Sequence, residues 1–264
     1  MNVPALFWAE LKREFILTFR YPFELVSRLI WNLGFALMIY YGFGAVGGTL
    51  PGFQEGQLGR LLGLLITFIA MNGLNNATEL LAEETQTGTL EQAALSPPPL
   101  VLIMLMRDLA SLLEMLLRFV LVMAIAIGIT GAQFHLDIPA FVVLLSLMYF
   151  GLEGIGMMLG GAALLYKKIA TLAQFAMMLI FGLALLPLDS LPGWMSAFVN
   201  HFPFTQALIL LRESAIQGVP LTTLLANGSV ASLAVTALLF LGLGIVSFSL
   251  AERKARDWGT LNQY

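Results

Sequence analysis

The sequence predicts an all-α membrane protein: six transmembrane helices, an N-terminal elbow helix in the interface, a short cytoplasmic helix after the second span and a re-entrant outer helical hairpin before the sixth. Three observations predict it. Of 264 residues 59% are hydrophobic and 11% charged, against roughly 45–50% and 25% in an ordinary soluble domain. Six segments supply the ~20 apolar residues that a bilayer core of about 30 Å asks of a helix. The basic residues gather at alternate junctions between those segments, the asymmetry that sets topology in a membrane.

Composition also excludes function classes. A soluble fold of this length needs charge all over its surface, which 13 Lys and Arg with 16 Asp and Glu cannot supply once they cluster. The net charge of −3 gives no reason to expect a nucleic-acid partner. With no cysteine, disulfides, thiolate nucleophiles and cysteine-ligated metals are ruled out. His135 and His201 are far apart and lack clustered ligands, so no metal site is expected.

The N-terminal stretch "PALFWAELKREFILTFRYP" places Trp8, Leu11, Phe15 and Phe19 on one helical face, with Lys12, Arg13 and Glu14 largely opposite. Residues 1–22 therefore read as an interfacial elbow helix, the alternative being a solvated helix packed on a partner. A cleavable signal is not expected, because Glu10, Lys12, Arg13, Glu14, Arg20, Glu24 and Arg28 precede the first apolar run near Leu29.

The spans are expected at 25–46, 58–81, 109–130, 139–165, 169–188 and 225–250. Both termini then share a side. That side holds Lys12, Arg13, Arg20, Arg28, Arg107, Lys167, Lys168, Arg253, Lys254 and Arg256, while the other holds Arg60 and Arg212 and Arg118 falls within a span. Cytoplasmic termini follow. The outer segment 189–220 is too apolar for a solvated loop, yet Pro192, Pro203 and Pro220 cut it into pieces too short to span. Two short helices dipping into the outer leaflet, with Trp194 and Phe198 as interfacial anchors, satisfy both facts. No stretch is long and polar enough to be a separate soluble domain, so 1–264 is expected to be one transmembrane domain.

No catalytic constellation is present. The sequence lacks G-x-x-x-x-G-K-[ST], G-x-S-x-G and H-E-x-x-H, and Asp137 and Asp189 stand alone. The chain is not expected to be an enzyme. The second span is more informative, because Asn72, Asn75, Asn76, Glu79 and Glu83 recur at helical spacings and form one polar stripe. Such groups are costly in hydrocarbon and face either another helix or a pathway. Glu114 and Arg118 stand four apart, acid first, as an expected structural ion pair. Glu153 has no partner in sequence, so it is protonated, paired across helices or exposed to water. Gly156 with Gly160, and Gly44 with Gly48, are small-xxx-small pairs that favour close helix packing.

Beyond the second span runs "NNATELLAEETQTGTLEQAALSPPP", acidic and helix-forming, broken at Gly88 and stopped by prolines. A short helix over Thr89 to Leu95 is either a solvated turn or an element seated in a groove of a cytoplasmic protein.

These residues resemble the permeases of ABC-2 type exporters, whose loop after the second span reads acid, then Gly-Thr-Leu-Glu, then Ser-Pro. The matching positions are Glu83, Glu84, Gly88, Thr89, Leu90, Glu91, Ser96 and Pro97. The stretch "HFPFTQALILLRESAIQG" is similar to the family's Asn-Pro-Leu-Thr segment, with Asn200, Pro203 and Thr205 spread by insertion. The resemblance implies a half-transporter in a bacterial inner membrane. A second copy of the chain and two ATPase subunits would complete it, Mg-ATP residing on those subunits and no cofactor on this chain. It implies that 83–97 is the coupling helix, with Glu83, Glu84, Gly88, Thr89, Leu90 and Glu91 meeting the ATPase. It makes Asn72, Asn75, Asn76 and Glu79 part of the route of a lipophilic or amphiphilic substrate. The alternative is a stand-alone secondary transporter or channel, which usually carries an internal repeat; none is evident between 1–130 and 131–264.

Overall fold

In hydrocarbon a backbone amide must find its partner within its own segment, which favours helix wherever the chain is apolar. The computed structural model describes residues 3–46, 57–86, 99–131, 133–135, 137–166, 170–185 and 192–257, and every regular element among them is an α-helix. In chain order these are α1 (Val3–Arg20), α2 (Pro22–Val46), α3 (Gln57–Gln86), α4 (Leu100–Thr130) and α5 (Ile138–Tyr166). They continue with α6 (Ala170–Leu185), α7 (Gly193–Asn200), α8 (Pro203–Gln217), α9 (Leu221–Ala226) and α10 (Ser229–Asp257).

Proline starts helices and glycine stops them. Pro22 opens α2, Pro99 precedes α4, Pro203 occupies the first turn of α8 and Pro220 precedes α9. Gly131 ends α4 at φ 67°, its N–H donating to the Ile127 carbonyl, and Gly218 ends α8 at φ 71°. Two expected boundaries are corrected. Helix α4 begins at Leu100 rather than 109, because Arg107 and Asp108, which break the apolar run in sequence, are accommodated by neighbouring helices. The last long helix begins at Ser229 rather than 225, because Gly228 at φ 75° separates it from α9.

Helices α4 and α5 and the stretch Ser229–Ala255 of α10 are each long and apolar enough to cross a membrane. Leu61–Asn75 within α3 and Thr171–Ala184 within α6 are shorter apolar stretches. The outer faces of α4 and α10 expose Leu117, Val120, Leu238, Leu239, Val246 and Leu250, an apolar exterior suited to lipid rather than water.

The core gathers around α3 and α5. Leu61, Leu62 and Ile66 of α3, Leu144, Met148 and Leu152 of α5, and Phe204, Leu208 and Leu211 of α8 are fully buried in one cluster. Lipid is as apolar as leucine, so close packing rather than water exclusion holds such helices together, and small residues set the distance. Gly73 of α3 lies against the Tyr149 ring, and Gly156 of α5 lies against the Leu74 carbonyl of α3. Gly154 of α5 presses on Phe240 and Gly244 of α10, while Gly151 receives Pro203 of α8. Phe35 of α2 packs on both Phe68 and Phe181, with centroids at 5.8 and 6.0 Å, joining α2 to α3 and α6.

Helix α1 has the reverse of a soluble surface helix. Trp8 and Phe19 point outward at 67% and 69% exposure, whereas Glu10 and Glu14 turn toward the protein. In the outer segment Trp194 is exposed, and the side chain of Phe198 lies outside the described residues.

Candidate functional site

Helix α3 stands in the middle of the bundle, in contact with α2, α4, α5, α6 and α8. Its polar residues do not share one neighbour. Asn72 donates from Nδ2 to the Phe68 carbonyl at 2.6 Å and lines a shallow cleft with Asn32 of α2 and Met115, Arg118 and Phe119 of α4. Asn75, one turn on, places Nδ2 3.5 Å from the sulfur of Met177 on α6. One carboxamide thus borders the α2–α4 side and the next the α6 side, because three residues on a helix differ by about 60° in direction. Asn76, Glu79, Glu83 and Glu84 belong to the backbone of α3, but their side chains lie outside the described residues, as do Gly88, Thr89, Leu90 and Glu91 altogether.

The cleft carries charge. Arg118 Nη2 donates to Glu114 Oε2 at 2.8 Å, one turn apart on α4, with both side chains about one-tenth exposed. Glu14 of α1 approaches the same pair. Its carboxyl is pushed above the usual 4.5 by burial and then by Glu114, against the opposing pull of Arg13, Arg28 and Arg118. Glu14 of α1 thus feels the Glu114 and Arg118 pair of α4 and, from α2, Arg28, which is itself exposed and paired with Glu24 one turn away.

A second tie joins the same helices lower on α4. Arg107 Nε donates to Glu10 Oε2 at 3.1 Å, and Arg13 reaches the same oxygen at 3.6 Å. Sequence reasoning missed this pair, since 97 residues separate its members and helical periodicity reports only local neighbours. It also missed that Asp108 and Glu153 are both buried and adjacent. The available signal was the presence of each acid in an apolar helix.

Toward the other end Asp137 is not alone. Its Oδ1 accepts from Ala140 N at 3.2 Å and its Oδ2 from Leu221 N at 2.8 Å, so one carboxylate caps α5 and holds the start of α9. Arg212 sits in α8, its Nη2 3.4 Å from the Ala184 carbonyl of α6 and beside Gly63 of α3. Pro203 and Thr205 are buried, and exposed Asn200 donates to Ser196 Oγ at 3.2 Å.

A family model described as ABC-2 type transporter matches residues 5–216. No curated protein matches the chain.

Proposed function

Since this chain belongs to the ABC-2 type transporter family, in which it is the membrane permease rather than a catalytic subunit and which implies an ABC ATPase partner, we propose that it is one half of an exporter. Two copies form the membrane pathway, and two separately encoded ATPase subunits, each carrying Mg-ATP, drive it. The substrate is lipophilic or amphiphilic, consistent with short connections and with the exposed apolar faces of α4 and α10.

The observation that carries this reading is the course of α3. Its buried stretch, with Leu61, Leu62, Ile66 and Leu74, touches most of the bundle. Its last turn contains Glu83 and leads into the Gly88, Thr89, Leu90 and Glu91 segment. A displacement applied there travels along a rigid rod into the packing around Gly73, where Tyr149 leaves no slack. Residues 83–97 are the coupling helix, facing the cytoplasm with both termini, and the six spans run in α2, α3, α4, α5, α6 and α10. Residues 1–22 form the interfacial elbow and 189–220 the outer hairpin. Asn72, Asn75, Asn76 and Glu79 border the pathway near the axis between the two copies.

The test is co-purification with the ATPase encoded alongside the chain, reconstitution and measurement of ATP-driven efflux. Substituting Glu84 and Glu91 by Lys should leave the permease folded and abolish the coupling of hydrolysis to transport. Transport by the chain alone, driven by an ion gradient, would overturn the reading in favour of a secondary carrier.

A further inference from the structure

The cleft between α2, α3 and α4 joins polar side chains to apolar walls. Asn32, Asn72 and Arg118 line it together with Phe68, Phe119 and Val122. Its polar groups are only partly used by the protein. Asn72 donates from Nδ2 to the Phe68 carbonyl at 2.6 Å, and Arg118 from Nη2 to Glu114 at 2.8 Å. The Asn32 carboxamide makes no hydrogen bond among the described residues. Such groups are costly within a membrane unless something polar meets them.

What is left over is a surplus of donors. A guanidinium donates and never accepts, and no carboxylate lines the cleft among the described residues, Glu114 bonding Arg118 from outside that lining. The complement is a group rich in acceptor oxygens, and a phosphate matches the planar fork of an arginine. The walls decide what that phosphate carries, since Phe68, Phe119 and Val122 suit hydrocarbon. Trp31, beside Asn32 in sequence, and Leu117 and Val120, beside Arg118 and Phe119, are exposed, so acyl chains reach the rim from the side. Asn32 stands two turns past Leu25, the expected start of its span, about 10 Å along the helix. A head group reaches that depth where a basic side chain draws it.

We propose that this cleft is a phospholipid site. The phosphate of one lipid lies on Arg118 and the carboxamides of Asn32 and Asn72, and an acyl chain runs over Phe68, Phe119 and Val122. One bound lipid thereby bridges α2, α3 and α4, whatever the cargo.

The experiment uses the purified full-length permease in nanodiscs of phosphatidylglycerol with a minor fraction of diacylglycerol. It needs neither ATPase nor cargo, so its failure and that of the export reading are distinguishable. Native mass spectrometry identifies by mass what stays on the released chain. After correction for abundance, the wild type should retain phosphatidylglycerol in preference to diacylglycerol, which has the chains without the phosphate. Asn32→Leu removes a carboxamide that the protein itself does not use. It should fold as the wild type does and retain phosphatidylglycerol about tenfold less, the factor for one hydrogen bond to a charged group. Arg118→Lys keeps a charge beside Glu114 but loses the fork, and should show a similar loss. If one variant does not fold, the other and the head-group preference decide. The proposal is overturned by equal retention of the two lipids, by retention unchanged in the variants, by an amphiphile other than a phospholipid in its place, or by Asn32→Leu shedding a second copy of the chain instead of lipid.

Discussion

Gly154 of α5 and Gly244 of α10 meet backbone to backbone, so that a Cβ added to Gly244 would overlap the Gly154 carbonyl. Helices this close exchange van der Waals contacts along their backbones, the main cohesive force where solvent and side chain are equally apolar.

Gly244→Ala is therefore expected to push α10 off α5 and cost about 1–3 kcal/mol, the range for overpacking. Gly242, two residues earlier, has nothing within 4 Å of its Cβ position. Alanine there should be neutral or stabilising by up to about 1 kcal/mol, since it removes chain entropy without a clash. Thermal unfolding of both variants in the same detergent checks the contrast.

The Glu10–Arg107 bond predicts a long-range coupling between the first helix and the base of α4. Its side chains are 12% and 17% exposed, shielded enough for a charged hydrogen bond to be worth about 2 kcal/mol. Arg107→Ala and Glu10→Ala should each destabilise by that order. In a double-mutant cycle the combined variant should lose little more than either single one. Additive losses would mean that the two groups act separately.

Glu14 predicts a pH dependence with a definite sign. Burial and Glu114 raise its folded-state pKa above 4.5, so the folded protein holds that proton more tightly than the unfolded chain. The associated stability is complete below pH 4.5 and is lost as pH rises through the folded value. Glu14→Gln, which cannot ionise, should match the wild type in acid and exceed it at neutral pH. Unfolding midpoints measured across that interval test the sign, and a variant that gains stability only in acid would refute it.

Much of the architecture is legible in the sequence for a physical reason: the bilayer imposes one length scale and one backbone solution, and proline and glycine mark the ends. Leu25 to Val46 lies within α2, and the expected fourth span, 139–165, falls one residue inside α5 at each end. The Glu114 and Arg118 spacing was legible because it is local. What escaped was tertiary. Arg107 and Asp108 read as the edge of a span because nothing in sequence announces Glu10 and Glu153 as their neighbours. The glycine pair 156 and 160 was visible by spacing, but the tightest contact on α10 belongs to Gly154, whose partner Gly244 is ninety residues away. Asn72 and Asn75 read as one stripe, yet a helix surrounded by five others turns even adjacent rows toward different partners.

The central claim is that work enters through the segment following α3, on the cytoplasmic side, from an ATPase. Since the chain has no cysteine, Thr89→Cys introduces a single thiol. A membrane-impermeant maleimide applied to intact cells should leave it unlabelled, label it after permeabilisation, and be excluded again when the ATPase subunit is bound. Labelling of Thr89→Cys from outside intact cells would contradict the account.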